Sequence, residues 1–228
     1  MMKFSLPLSA VIGLFVASAA MAAPIIPTYG TFGPLAGATF GGTGIPNNPV
    51  AITTVGGLTL GLAASQRFVG PNLGHDGAGT YSAPAGVSQA APSPADPYAM
   101  WNFNIYIGGA TTGMSFRLFY DFDPTFGNDE TTHGTITFPF ASLPSNPYQQ
   151  SWNLGMNFLA AAAAGIVPPV GAFDPNAAGQ YTFALAAYNV GGQEIGRSAI
   201  AVNAVPEPGT MALAGLALLG LAAARRRT

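Results

Sequence analysis

Trp101-Asn102-Phe103-Asn104-Ile105-Tyr106-Ile107 alternates large apolar and polar residues almost without a break. Successive side chains of an extended strand point to opposite faces, so Trp101, Phe103, Ile105 and Ile107 share one face and Asn102, Asn104 and Tyr106 the other. The stretch predicts a sandwich strand with one dry face and one wet one. The same period recurs on both sides of it. After a glycine turn over 108–113, Met114, Phe116, Leu118 and Tyr120 alternate with Ser115, Arg117 and Phe119. Upstream, residues 50–55 and 58–68 flank Gly56-Gly57, a hairpin signal because both positions of a primed turn need positive φ. Residues 70–79 read as loop, 80–83 as a short strand, and 84–97 as a Ser, Ala and Pro connection. Downstream, Ile136, Phe138 and Phe140 align in a short strand, and Trp152, Leu154, Met156 and Phe158 alternate with Asn153, Gly155 and Asn157. The alanines at 160–164 favour helix, but a run this short, bounded by Gly165 and Pro168, cannot repay nucleation and gives one turn at most.

Two further strands follow Asp174-Pro175-Asn176-Ala177-Ala178-Gly179-Gln180-Tyr181. Tyr181, Phe183, Leu185 and Ala187 fall on one face, and a closing strand runs over 195–202 after Gly191-Gly192. An acid, a small-residue turn and Gly-x-Tyr before an alternating strand resemble the tyrosine corner of immunoglobulin-like sandwiches, with Phe183 where antibody domains carry a cysteine. A jelly roll would read much the same. The expected fold is all-β, a two-sheet antiparallel sandwich, immunoglobulin-like or jelly-roll-like.

The two ends have the composition of addresses. Over residues 1–22, Lys3 is a positive n-region, residues 8–16 are mostly apolar, and Ala20-Met21-Ala22 supplies the small residues a signal peptidase reads, so cleavage is expected before Ala23. At the other end, Val205-Pro206-Glu207-Pro208 precedes an apolar run over 211–224, then Arg225-Arg226-Arg227. A fourteen-residue helix spans about 21 Å against a hydrocarbon core of about 30 Å. Flanking residues, arginine stems and local thinning bring it within range. The arginines stay cytoplasmic by the positive-inside rule, which leaves the body outside. On physics alone the tail is a single-span anchor, or else a buried core helix.

The order of its parts resembles the PEP-CTERM sorting signal of Gram-negative bacteria. The resemblance covers residues 205–228. It implies that Pro206, Glu207 and Pro208 are a recognition box, and that the run and Arg225, Arg226 and Arg227 hold the chain in the inner membrane. It further implies processing by a membrane enzyme, the exosortase, in cells that make exopolysaccharide. The division expected is therefore a signal peptide at 1–22, an irregular Gly/Pro-rich lead-in at 23–49, a β-sandwich at 50–204 and the sorting tail at 205–228. Only Asn203 and Ala204 separate the expected closing strand from the box.

Charged residues make up 7% of the chain, where about 25% is usual. Between the two addresses three arginines face eight acids, a net charge of −5, so no cationic cluster exists to displace counterions from a nucleic acid. The absence of cysteine excludes disulfides, thiol chemistry and cysteine-ligated metals. One loop gathers oxygen ligands, Asp121, Asp123, Asp129 and Glu130, with His133 beyond it. They are calcium candidates, but Thr125, Phe126 and Thr132 break the EF-hand pattern, and a solvated turn explains them better. Gly-x-Ser-x-Gly, His-Glu-x-x-His and a phosphate loop are absent.

The expectation is thus a non-enzymatic exported protein without a cofactor, structural or adhesive at the cell surface or exopolysaccharide matrix. Its partners would be a signal peptidase and an exosortase-like enzyme. The alternative is a carbohydrate-binding module, calcium-dependent or not. It would need an exposed aromatic row, for which Tyr81, Tyr98, Tyr106, Phe119 and Tyr148 are the candidates.

Overall fold

The computed structural model describes residues 23–40, 49–68, 72–89, 97–139 and 143–206. In chain order its strands are β1 (Thr31–Gly33), β2 (Val50–Val55), β3 (Leu58–Gln66), β4 (Gly74–His75), β5 (Thr80–Ala85), β6 (Trp101–Gly109), β7 (Ser115–Tyr120), β8 (Gly134–Phe138), β9 (Tyr148–Trp152), β10 (Ile166–Val167), β11 (Gly179–Tyr188) and β12 (Glu194–Pro206). They form a five-stranded sheet, β1-β2-β3-β6-β9, and a seven-stranded sheet, β10-β8-β7-β11-β12-β5-β4. The expected all-β two-sheet sandwich is what the chain adopts, with more strands than an immunoglobulin domain or jelly roll usually holds. All pairings are antiparallel but one, since β12 runs parallel to β5.

The alternation that predicts β6 builds the core. Trp101, Phe103, Ile105 and Ile107 are buried between the sheets, and across from them lie Tyr181 and Phe183 of β11. Phe103 stacks on Phe183 with centroids 4.7 Å apart, and Trp101 meets Phe183 edge-on at 6.1 Å. Tyr181 keeps the bond expected of a tyrosine corner, its hydroxyl facing the carbonyls of Asp174 and Ala177, each at 3.4 Å. Phe183, standing where a cysteine would sit, joins the sheets by ring stacking instead. Where β2 crosses β12 the sheets are also tied by polar bonds, Ser198 Oγ to the Ala51 carbonyl at 2.6 Å and Thr53 Oγ1 to the Arg197 carbonyl at 2.7 Å.

The segment expected as an irregular lead-in is part of the sandwich. Residues 23–28 cross the outer face of the seven-stranded sheet. Pro24 bridges to Asp129, and Thr28 exchanges two backbone hydrogen bonds with Ala199 of β12. Thr31–Gly33 then pairs with β2 as an edge strand. Residues 35–40 fold over the outer face of the five-stranded sheet. There Gln149 Oε1 accepts from the Thr39 and Phe40 amides, and Leu35 packs so close to Gly61 that a Cβ would come within 3.0 Å of it. Scattered apolar residues among glycines and prolines read as loop because their partners lie far along the chain.

The wet face expected of β6 is therefore dry. Asn102 is 7% exposed and Asn104 wholly buried. Asn104 Nδ2 donates to Ser65 Oγ, and Asn102 Nδ2 donates to Ser151 Oγ, each at 3.0 Å. These hydrogen bonds offset part of the cost of burying the two amides, although Asn104 Oδ1 is buried without a partner. Asn153 shifts the strand read over 152–158 to Tyr148–Trp152. Its buried amide bonds to Ala99, Trp101 and Asn102, which turns the chain away from the sheet after Trp152. A 3₁₀ turn, Asn157–Leu159, follows, ahead of the alanine run.

Candidate functional site

On the outer face of the seven-stranded sheet, β8, β7, β11 and β12 align Thr137, Arg117, Ala186 and Arg197 in one row and Thr135, Phe119, Ala184 and Ala199 in the next. The alanines leave a trough. Ile25 lies in it, 6% exposed, packed on Phe119, Ala184, Ala186 and Ala199. Beside this strap runs a groove of about 650 Å³, lined among others by Ile26, Phe119, Glu130, Thr135, Val167 and Arg197.

Arg197 dominates the groove's electrostatics. Its Nη1 donates to Glu130 Oε2 at 2.7 Å and its Nε to Glu194 Oε1 at 2.8 Å, while Nη2 reaches both carboxylates. The guanidinium lies 5.2 Å over the Phe119 ring. Hydrogen bonds from Arg197 hold the Glu194 carboxyl below its ordinary range. The guanidinium in turn is held protonated more firmly than usual, by Glu194 first and Glu130 after it. Of the two acids only Glu130 lines the groove, where its carboxylate supplies acceptor oxygens beside Arg197.

Deeper in the same sheet sits a polar cluster that the spacing of residues did not announce. His133 Nδ1 faces the Asp129 carbonyl at 3.1 Å, so this nitrogen carries the proton, and Nε2 accepts from Thr182 Oγ1 at 2.7 Å. Asp121 Oδ2 is 3.7 Å from the same Nε2. A relay to a nucleophile needs the carboxylate on the opposite ring nitrogen, and here both contacts fall on one. The histidine and aspartate side chains are buried, at 0% and 2% exposure. Burial raises the Asp121 carboxyl despite bonds from Asn128 and the Asp123 amide. The signal for this cluster was the alternation of β11, which turns Thr182 away from the core, but nothing local pairs it with His133.

The calcium candidates Asp121, Asp123, Asp129 and Glu130 are given separate tasks. Asp121 accepts from the Asp123 amide at 2.9 Å and Asn128 Nδ2 at 2.9 Å, Asp123 accepts from the Thr125 amide at 2.9 Å, and Asp129 caps the 3₁₀ turn Glu130–Thr132 through the Thr131 amide at 2.8 Å. Bonds from Thr131 lower the Asp129 carboxyl. Glu130 faces Arg197. Among the described residues no three His, Cys, Asp or Glu side chains converge as a metal site would require.

The aromatic row does not form. Tyr81 is fully buried with its hydroxyl on the Pro49 carbonyl, Phe119 lies under Ile25, and Tyr148 packs edge-on against Phe138. Tyr98 sits beneath the Arg67 guanidinium, 4.4 Å from it, and Tyr106 is half-buried. Tyr81 and Tyr148 belong to the core between the sheets, and the wrapping segment covers Phe119.

The sequence-predicted sorting residues meet the fold at the end of β12. This strand does not stop at residue 202. Its pairing with β5 continues through Asn203 with Ser82, Ala204 with Ala83, Val205 with Pro84 and Pro206 with Ala85. Pro206 has no backbone amide hydrogen to donate. It is tolerated here because β11 begins at Gly179, opposite Ala204, so beyond that rung one side of β12 has no neighbour needing a donor. Residues 204–227 match the PEP-CTERM protein-sorting motif. The chain carries a PEP-CTERM sorting motif. The motif implies an exported chain processed by an exosortase, a membrane sorting enzyme. No curated protein and no solved structure matches the PEP-CTERM chain.

Within the motif, Val205 and Pro206 are strand residues, while Glu207, Pro208, Arg225, Arg226 and Arg227 lie outside the described residues, as does the predicted membrane run. Among the described residues no helix is long and apolar enough to cross a membrane. Of the expected signal peptidase site, Ala20 and Ala22 also lie outside, and Ala23 is the first residue described. The Ala23 carbonyl accepts from the Glu130 amide at 3.3 Å, so the expected mature terminus begins at the groove.

Proposed function

We propose that this PEP-CTERM protein is a non-catalytic component of the cell surface or exopolysaccharide matrix. Its tail anchors it transiently in the inner membrane until an exosortase processes it, and its sandwich serves a structural or adhesive role. The observation that carries this reading is the continuity of the sorting motif with the closing strand of a well-packed sandwich. The motif supplies the address, and the body it delivers uses its acids and histidine internally. His133, Asp121 and Thr182 are buried and hold one another, and the loop carboxylates cap turns or meet Arg197. A surface with few charges, wetted by Ser, Thr, Asn and Gln, suits a hydrated polysaccharide gel.

Intact mass of the protein from cells, medium and the polysaccharide fraction tests the reading. The expected species begins at Ala23 and has lost Arg225 to Arg227. A chain that keeps the arginines in every fraction would make the tail an ordinary anchor. A processed chain wholly absent from surface and polysaccharide fractions would remove the matrix role.

A second reading, a carbohydrate-binding module, is favoured by one observation. The groove offers carboxylate acceptors on Glu130, the Thr135 side chain, and the exposed apolar side chains of Ile26 and Val167. Neutral sugars present vicinal hydroxyl donors and apolar C–H faces that such a groove could receive. Retention on a neutral polysaccharide column, lost in Glu130→Gln, would support it. Equal elution of both proteins with the void would dismiss it.

A further inference from the structure

The β5–β12 ladder reaches into the sorting motif, and its rungs differ in strength. Up to Ala204 the core-facing residues of the two strands are buried: Val202 and Tyr81 are fully buried, Ala83 is 1% exposed and Ala204 3%. The next two rungs, Val205 with Pro84 and Pro206 with Ala85, project past the end of β11, and Val205 is 47% exposed. The β5 side is fixed in place. Just beyond it the Gly86 amide donates to the Pro175 carbonyl at 2.7 Å, and Val87 bridges to Ala99. Glu207 follows Pro206 with no spacer.

We propose that these two rungs are a latch on the sorting box: the folded sheet withholds Val205 and Pro206, and a processing enzyme takes them up only when the rungs part. The inference rests on the reading of the tail as processed at its box. Enzymes that act on peptide bonds take the substrate as an extended chain and pair with its backbone, much as a strand is added to a sheet edge. One edge of Val205 and Pro206 is already occupied by β5. An enzyme needing both edges must displace that strand, while one bound from Glu207 onward meets the sandwich at once. Parting two rungs uncovers little apolar surface, since Val205 is already half exposed, so the opening is local and leaves the buried rungs closed. The latch thus delays processing of a folded chain without preventing it. Pro84 and Ala85, which lie outside the motif, become positioning residues for the sorting reaction.

The experiment uses the full chain in detergent micelles and a proline-specific endoprotease that accepts intact proteins. It compares cutting after Pro206 with cutting after Pro208 by intact mass. In the wild type, cutting after Pro206 is expected to be at least about fivefold slower, the factor for one net hydrogen bond. Ala85→Pro, which loosens the last rung without touching the box, should bring the two rates together while the melting temperature stays close to that of wild type. Inserting six Gly/Ser residues between Ala204 and Val205 should do the same. Equal rates in the wild type overturn the latch. So does relief by the insertion but not by Ala85→Pro, which would point to the bulk of the sandwich instead. In cells, the same variants should reach the processed form sooner than wild type. If every variant keeps its tail in cells while the micelle rates differ as stated, the latch stands and the reading of the tail as a processed signal falls.

Discussion

His133 Nε2 and Thr182 Oγ1 lie 2.7 Å apart although 49 residues separate them in the chain. This bond joins the turn before β8 to β11, and both residues are buried. Thr182→Val keeps the shape and removes the donor, leaving a buried ring nitrogen unpaired, which costs about 1–3 kcal/mol. Thr182→Ser keeps the hydroxyl and should lose less. Urea unfolding of the two variants decides the matter, and a larger loss in Thr182→Ser than in Thr182→Val would show that the methyl group rather than the hydroxyl carries the contribution.

Gly179 begins β11 at φ +153°, and a Cβ there would lie 2.0 Å from the Pro124 carbonyl oxygen. That oxygen accepts from the Gln180 amide at 2.9 Å, so the loop cannot retreat without breaking the bond. Gly179→Ala is expected to destabilise by about 3 kcal/mol or more, combining backbone strain with overpacking. Thermal melting reads it. A shift of less than about 2 °C would mean that the acidic loop yields freely.

The ion pairs of Arg197 give stability a direction in pH. Hydrogen bonds from Arg197 hold Glu194 below its ordinary value in the fold, so its contribution is complete above the usual carboxylate range and fades as pH falls through the folded value. Glu194→Gln should therefore melt below wild type at neutral pH, with the gap closing as pH falls through the lowered folded value. Asp121 acts in the opposite sense. Burial raises its carboxyl, so it favours the fold most when protonated, and that contribution is lost as pH rises through the folded value. A gap for Glu194→Gln that stays constant with pH would remove the ionic explanation.

Ile25 and Ile26 are neighbours with opposite environments, 6% and 68% exposed. Truncating Ile25 to alanine uncovers Phe119 and should cost about 2 kcal/mol, at the low end for buried isoleucine because the trough is shallow. Ile26→Ala should stay within about 0.5 kcal/mol of wild type. Denaturant midpoints for the pair test whether the strap is integral. Matching midpoints would mean that it is not.

The carboxylates of the acidic loop already cap amides or meet Arg197. Millimolar calcium, compared with chelator, is expected to leave the melting temperature unchanged. A rise of several degrees would reopen the loop as a cation site.

The fold was legible where the signal is local. The alternation in β6 and β7, the Gly56-Gly57 hairpin and the corner before Tyr181 each depend on neighbours within a few residues, and each took its expected form. What escaped was set by distant partners. The strap at residues 23–28 has no period of its own and is positioned by Ala199 and Asp129. The same holds for the burial of Asn102 and Asn104, the pairing of His133 with Thr182, and the extension of β12 past residue 202, which depends on β5. For the candidate site, the sorting motif could be read directly because it is a linear signal. The groove could not, because it arises where a strap crosses alanines of two strands, β11 and β12.

β12 lies between β11 and β5, touches β2 across the core and receives Thr28 at its side. A chain threaded outward through a translocation channel delivers this strand last. Until it clears the channel, β5 and β11 have no common neighbour, Thr28 has nothing to pair with, and the two sheets lack their polar tie. The contacts that offset the ordering entropy thus form largely in one late, long-range event rather than gradually along the chain. On the proposed reading of the tail as a transient anchor, the sandwich would close only once its last strand has emerged.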